Sequence, residues 1–335
     1  MGSAKPVAAV VGSGSLLGRE LRDVLAGTPF QTKLIGADEI EAGTLTEDRG
    51  EPAVLTALDE ENLAAARVVF LAGSAESSRR AMEIVSRLDP RPVVVDLTYA
   101  LEERSTAHLR APVVEPAGYA LPAESEHVVA HPAAIVLALF LVRLGQAGPI
   151  RRVIAQVFEP ASERGQRGID ELHRQAVGLF TFQKLPKAVY DEQVGFNLLA
   201  RYGAEALVSL ESIEARIERH LATLLALNGG IHMPSIRLMQ APVFHGYSVS
   251  LWVEFETSPA VAALEQALAS AYIDVRGADV EAPTVVGMAG QNGIAVGAIA
   301  PDRNDAHAVW FWVAADNIRI VAENAVAVAR AEAKQ

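Results

Sequence analysis

The stretch Val7-Ala8-Ala9-Val10-Val11-Gly12-Ser13-Gly14-Ser15-Leu16-Leu17-Gly18 decides how this chain is read. Its first five residues are small or branched and apolar, and a glycine closes them, which reads as a buried strand. Three glycines then lead into Arg19 to Leu25, where apolar residues recur at helical spacing. Strand, glycine turn and helix in that order place backbone N–H groups and the positive end of a helix dipole where a dinucleotide pyrophosphate would lie. The spacing is G-x-G-x-x-x-G, one residue off the usual fingerprint. The competing explanation is a tight strand-to-helix turn that needs glycine for backbone reasons alone.

Outward from this loop, Lys33 to Gly36 reads as a second strand and Val68 to Leu71 as a third, closed by Gly73 and Ser74. Ser77 to Leu88 is helical, with Met82, Val85 and Leu88 on one side, and Val93 to Asp96 is another buried strand. Short apolar strands alternating with helices predict a parallel sheet with crossover helices. Ala133 to Val142 is apolar all round, as in a buried helix, with Pro132 suited to its first position. From about residue 150 the pattern changes. Arg152 to Val157, Ile236 to Pro242, Tyr247 to Phe255 and Trp310 to Val313 read as strands, the last three alternating. Glu205 to Leu227 reads as an amphipathic helix, closed by Asn228-Gly229-Gly230. Asp316 can cap a last helix running to about Ala331. The expected fold is α/β, a nucleotide-binding domain followed by a mixed α/β domain, with the last helix returning to the first.

The 335 residues carry a net charge of −12, so phosphate backbones are repelled and nucleic acid is not an expected partner. The longest apolar run is Ala133 to Val142, half of the roughly 20 residues a membrane span needs. The expected location is the cytoplasm. There is no cysteine, which excludes disulfides, thiolate-ligated metals and every thiolate mechanism. The eight histidines are scattered and form no i, i+4 ligand pair, so no metal site is expected. At the end of the second strand stands Ala37-Asp38-Glu39, with no Arg or Lys beside it in sequence. A carboxylate there can accept from a ribose hydroxyl and repels a 2′-phosphate, favouring NAD over NADP; the alternative is a pair of solvated loop acids.

Several segments together resemble the aspartate-semialdehyde dehydrogenase family. They are the loop at Gly12, Phe70-Leu71-Ala72-Gly73-Ser74, Val94-Val95-Asp96, Gly165 to Leu172, Ala241 to Gly246, Ala282-Pro283-Thr284, Val296-Gly297, and Trp312 to Arg319 followed by Asn324-Ala325-Val326. They span nearly the whole chain in order, and the last is the most specific. The resemblance implies a Rossmann-like domain at residues 1–131 and 314–335 and a dimerisation domain at 132–313. It implies a homodimer and a cofactor site built from Gly12, Ser13, Gly14, Ser15, Leu16, Gly18, Asp38, Gly73, Ser74 and Asn317. It also implies reductive dephosphorylation of an acyl phosphate by way of a cysteine thiolate.

The chain departs from that pattern at its chemistry. The family motif N-P-N-C-[ST] corresponds to His131-Pro132-Ala133-Ala134-Ile135, so Ala134 stands at the nucleophile. No Ser, Thr or Cys lies between His127 and Gly145 to replace it. Tyr247 stands at the acid/base histidine, while His245, two residues earlier, would share its face on a strand and is the candidate substitute. Otherwise it is a partly buried strand histidine. Glu102 falls on the phosphate-binding arginine, and Arg216 near a substrate glutamate, with Arg219 and His220 readable as a solvated helix face. Ser15 replaces the middle glycine of the family's G-x-x-G-x-x-G loop. The chain thus resembles the cysteine-less, Usg-like paralogues. The expected function is a non-catalytic or regulatory relative acting on a protein partner. The alternative is an NAD(P)-dependent oxidoreductase that reduces a small carbonyl without cysteine, using Tyr247 or His245 as acid. A family enzyme with another nucleophile is a third reading, with no residue in the right stretch to carry it.

Overall fold

Val7–Val11 form β1, the second strand of a parallel sheet, in a computed structural model that describes residues 5–48, 50–122, 124–229 and 231–333. The chain divides into two units. One comprises Met1–Pro112, Ala117–Ala130 and Val321–Gln335, the other Val113–Pro116 and His131–Ile320.

In the first unit β1 is followed by α1 (Leu16–Ala26) and β2 (Gln31–Ile35), then by a hairpin of β3 (Leu45–Asp48) and β4 (Glu51–Val54). After α2 (Glu60–Ala64) come β5 (Ala66–Leu71), α3 (Ala75–Val85), β6 (Val93–Asp96), β7 (Ala107–Arg110) and β8 (Glu126–Val129). Six strands form one sheet in the order β2-β1-β5-β6-β8-β7, and every pairing is parallel, as the sequence pattern predicts. The apolar core joins Val11, Ile35, Leu63 and Leu71 to Met82 and Val85 of α3. The hairpin and β7 were not legible in the sequence, because their residues neither alternate cleanly nor bury a run; Leu45 is 75% exposed.

The second unit opens with α4 (Pro132–Leu144), where every residue from Pro132 to Leu141 is buried. Proline at the first position, where its missing N–H is no loss, sets the start. β9 (Ile150–Glu159), α5 (Gly165–Thr181), α6 (Leu210–Ala226), β10 (Ser235–Gln240), β11 (Tyr247–Phe255), α7 (Val261–Leu268), β12 (Ile273–Val275), α8 (Val285–Met288), β13 (Ile294–Pro301) and β14 (Ala308–Ala315) follow, and α9 (Asn317–Glu332) begins. Their mixed sheet runs β10-β9-β11-β14-β13-β12. α4 packs between α6, α7 and one face of this sheet, where Phe140 meets Phe311 edge-on at 5.1 Å. The opposite face carries Ile154, Trp252 and Trp310 in register across three strands.

The long amphipathic helix starts later than its periodicity suggests. Ser209 caps it by accepting from Ser212 N, so the helix begins at Leu210, and Leu207 lies outside it, 71% exposed. The stretch before it is instead a loop pinned by the Asp191 carboxylate, which accepts from Glu205 N. At the other end Asn228 donates to Leu224 O, and Gly229 takes a left-handed φ of 84°; Gly230 lies outside the described residues. Asp316 caps α9 as expected, accepting from the amides of Ile318 and Arg319. Among the described residues no helix is long and apolar enough to cross a membrane.

Candidate functional site

The chemistry-bearing residues of the second unit gather around the start of α4. His131 caps this helix: its Nδ1 accepts from Ala133 N at 3.3 Å, and its own backbone N–H donates to His220 Nδ1 at 2.9 Å. His220 is therefore no part of a solvated face, being 5% exposed on the same side of α6 as Ile217 and Leu221; its neighbour Arg219 is exposed. Burial, then the nearby His220, Arg164 and Arg216, hold the His131 pKa well below its ordinary range. The ring is neutral, with its proton on Nε2 because Nδ1 is an acceptor. Nε2 lies 3.8 Å from Glu163 Oε2, too long for a direct hydrogen bond. Ala134, three residues on, is completely buried.

Two carboxyls that the sequence reading passed over dominate this interior. Glu159 ends β9 at the inward parity of Val153, Ala155 and Val157, and it is fully buried. Arg164 donates to it at 3.1 Å and the Tyr202 hydroxyl at 3.2 Å. Burial raises its pKa, opposed chiefly by the charge of Arg164. Glu163 accepts from Asn317 Nδ2, and burial together with the repulsion of Glu159 pushes its pKa up to about 7. An acid at the inward parity of an apolar strand, and an adjacent acid–base pair before the Gly165 motif, are the sequence signals that would have found them.

Gly246, at φ 84°, interrupts the extended backbone between His245 and Tyr247, so β11 begins only at Tyr247 and the i, i+2 strand argument does not reach His245. Tyr247 is buried, and its hydroxyl is one of the groups holding down the Glu159 pKa. His245 lies 2.9 Å from Asp316 Oδ1 through Nε2 and 3.2 Å from Ser162 Oγ through Nδ1, with 33% of its side chain exposed. Asn317, expected to meet a cofactor, is buried; its Oδ1 accepts from Ser162 Oγ and Gly246 N while its Nδ2 serves Glu163.

The first unit holds the glycine loop. Gly12 is at φ 79°, and a Cβ there would stand 2.2 Å from Gly73 Cα; one on Gly18 would stand 2.2 Å from Gly12 O. These two glycines answer to the protein's own backbone. Gly14 does not: its φ is ordinary, and a Cβ there would meet nothing nearer than Leu55 Cδ1 at 3.6 Å and Glu41 Oε2 at 3.9 Å. Its missing side chain leaves room for a close approach from outside, which fits a dinucleotide phosphate. Ser15 turns inward, accepting from Gly18 N at 2.8 Å and donating to Ala72 O at 2.7 Å, and Ser13 Oγ donates to Ile35 O. Ser74 caps α3 with a reciprocal bond to Ser77. Asp38 Oδ1 accepts from the amides of Ile40 and Glu41, and Glu39 meets Arg80 of α3 at 3.3 Å, so a cation absent from the local sequence does stand beside the acid pair. Glu102 sits in the turn after Asp96, whose pKa is raised by burial and, more weakly, by Glu102 itself. Among the described residues no group of three or more His, Asp or Glu side chains is placed to hold a metal ion.

Comparison with known proteins places this architecture. Residues 141–320 match the model of the semialdehyde dehydrogenase dimerisation domain. The chain is 23% identical to the aspartate-semialdehyde dehydrogenase of Rickettsia bellii, over 93% of this chain and 92% of that one. It is 29% identical to a USG-1 protein homolog of Azotobacter vinelandii, over 98% and 97%. The solved structure of a probable aspartate-semialdehyde dehydrogenase from Pseudomonas aeruginosa superposes with a TM-score of 0.84 at 28% identity, covering 98% of this chain and 99% of that one.

Proposed function

The chain belongs to the aspartate-semialdehyde dehydrogenase family, on its USG-1-like side, and on that premise we propose that it binds a nicotinamide dinucleotide without running the family's acyl-phosphate reaction. One observation carries this reading: the position that should hold the nucleophile is Ala134, sealed in the first turn of α4 in a chain with no cysteine. The neighbouring groups support it. Tyr247, at the acid/base position, is buried against the Glu159 and Arg164 pair, His131 Nδ1 caps α4, and the Asn317 amide is engaged within the protein at both its oxygen and its nitrogen. Losing a covalent nucleophile lowers turnover by roughly 10⁶-fold in well-studied hydrolases. The role that remains is regulatory, in the cytoplasm, toward a protein partner. The first unit is the dinucleotide-binding domain in this reading and the second the dimerisation domain, with the boundaries at residues 130/131 and 320/321 rather than at 131/132 and 313/314.

The test is an assay of the purified protein with aspartate semialdehyde, phosphate and either NAD⁺ or NADP⁺, followed at the absorbance of the reduced cofactor. The expected result is no reduction above the protein-free blank. Reduction proportional to protein concentration would sink the reading.

A second reading rests on His245. A carboxylate-oriented imidazole with a third of its surface exposed is a competent acid for protonating a carbonyl oxygen during hydride transfer, with NAD(P)H as donor. It requires turnover of some small carbonyl compound that His245→Ala abolishes while cofactor affinity stays unchanged.

We also propose a homodimer formed through the open face of the mixed sheet. Trp252, Trp310 and Trp312, all three tryptophans of the chain, stand on that face. Their indole N–H groups are already bonded, to Asp302 for the first two and to Pro283 O for the third, so the rings present apolar surface rather than unmet donors.

A further inference from the structure

We infer that Glu41, rather than Asp38, is the carboxylate that reads the adenosine ribose, and that it makes the glycine loop select a dinucleotide lacking the 2′-phosphate; this rests on the dinucleotide reading above. The usual expectation puts that acid immediately after the second strand. Here Asp38 Oδ1 takes the amides of Ile40 and Glu41, both at 2.9 Å, which turns the chain back on itself, and Glu41 rather than Asp38 is the acid that comes beside Gly14. The turn delivers Glu41 to the glycine loop. Its Oε2 accepts from Ala37 N at 2.7 Å and lies 3.9 Å from where a Gly14 Cβ would stand.

The Glu41 side chain is held there. Gly36 is required for it, because a Cβ at that position would come within 2.9 Å of Glu41 Cβ. Oε1 has no hydrogen bond among the described residues, so one oxygen is anchored and the other is available to accept from a hydroxyl. Two ribose hydroxyls match that acceptor, whereas a 2′-phosphate would set like charges side by side. Ile40, next in the same turn and 88% exposed, offers the apolar surface that an adenine ring would cover. Arg80 reaches the same edge but pairs with Glu39 at 3.3 Å, an exposed contact that leaves Glu41 unneutralised.

The experiment is calorimetric titration of the full-length protein with NAD⁺ and with NADP⁺, repeated for Glu41→Gln, Asp38→Asn and Arg80→Ala. Glutamine keeps an acceptor for Ala37 N, and an unchanged thermal transition establishes that each variant is folded. The expected pattern is wild-type preference for NAD⁺ by about tenfold or more, the size of one charged hydrogen bond. Glu41→Gln should weaken NAD⁺ and narrow that preference, while Asp38→Asn leaves the ratio in place. Wild-type preference for NADP⁺, above all one lost in Arg80→Ala, overturns the inference and leaves dinucleotide binding standing. A ratio unmoved by Glu41→Gln, or moved only by Asp38→Asn, also overturns it. Absence of binding by either cofactor at millimolar concentration overturns both.

Discussion

Nε2 of His245 lies 2.9 Å from Oδ1 of Asp316, and the same oxygen accepts from the amides of Ile318 and Arg319 that open α9. Burial works to raise the Asp316 pKa, but the bonds from His245, Arg319 N and Gly290 N outweigh it and hold the carboxyl below its usual value of 3.8. A helix cap and a histidine anchor are thus the same side chain. Asp316→Ala removes both, and the expected loss is about 1–3 kcal/mol in urea unfolding. The pH dependence follows from the lowered pKa. The ionised form contributes its full stabilisation above the unfolded value of 3.8, and this is lost as pH falls through the folded one. The difference between wild type and variant should therefore shrink as the pH falls toward 3.

Glu163 titrates in the opposite sense. Burial, and then repulsion from Glu159, raise its pKa from 4.5 to about 7. The folded state then holds a proton that the unfolded chain has released, so the protein loses stability as pH rises from 4.5 to 7, by roughly 3 kcal/mol at most. Glu163→Gln, which keeps an acceptor for Asn317, mimics the protonated form. Its unfolding free energy should be flatter across that window and exceed that of wild type at pH 8. A variant that tracks wild type at every pH would show that Glu163 stays ionised in the fold.

Much of the fold was legible and little of this interior was. Runs such as Val7 to Val11 and Ala133 to Val142 announce buried elements because burial on all sides demands apolar residues without interruption. Pro132 and Asp316 mark helix starts because caps are local chemistry. The Ser162, His245, Asp316 and Asn317 network joins residues 155 positions apart, so no window of sequence contains it. The different partners of His245 and Tyr247 could not be read from their spacing, because Gly246 between them takes a left-handed φ of 84°. The acid that faces the glycine loop was hidden likewise: a turn held by Asp38 carries Glu41 back toward Gly14.

Restoring the missing thiol should not restore the reaction. Ala134→Cys would place sulfur in the first turn of α4, where the helix dipole favours a thiolate, yet at a position with no solvent exposure. Desolvation opposes ionisation, and no histidine occupies position 247 to assist. A thiol reagent should modify the native variant about 100-fold or more slowly than the urea-unfolded chain. Aspartate-semialdehyde turnover should stay at the blank. A fast native reaction would reveal an opening of this site that the burial of Ala134 does not suggest.

The tryptophan face gives the dimer a direct readout. Trp310 is 41% exposed and Ile154, beside it in register through Trp252, is 42% exposed. A partner sheet seated there removes these rings from water, so dilution should shift tryptophan emission to the red as sedimentation reports monomer. Trp310→Glu sets a charge in the middle of the face and should give a monomer at micromolar concentration with its thermal transition retained. A wild-type protein that sediments as a monomer at 100 µM, on the order of the weakest affinities expected of a specific interface, would remove the proposal.

The two leading glycines of the loop should separate stability from binding. A Cβ at Gly12 would stand 2.2 Å from Gly73 Cα, at a φ of 79° that L residues rarely adopt. Backbone rather than a flexible side chain lies in the way, so β1 and the loop after β5 must both move. Gly12→Ala should destabilise the protein by about 2 kcal/mol or more, read as a lowered midpoint in urea. Gly14 has an ordinary φ and room for the methyl group, with Leu55 Cδ1 its nearest neighbour at 3.6 Å. Gly14→Ala should fall within about 0.5 kcal/mol of wild type, as an unobstructed surface substitution does. Its effect should appear only with cofactor present, because the methyl group stands where a phosphate would approach the backbone, and NAD⁺ affinity should drop about tenfold or more. If Gly14→Ala binds NAD⁺ as wild type does, the loop is a tight turn and nothing more, since the one glycine that the protein's own packing does not require would then have no ligand to account for it.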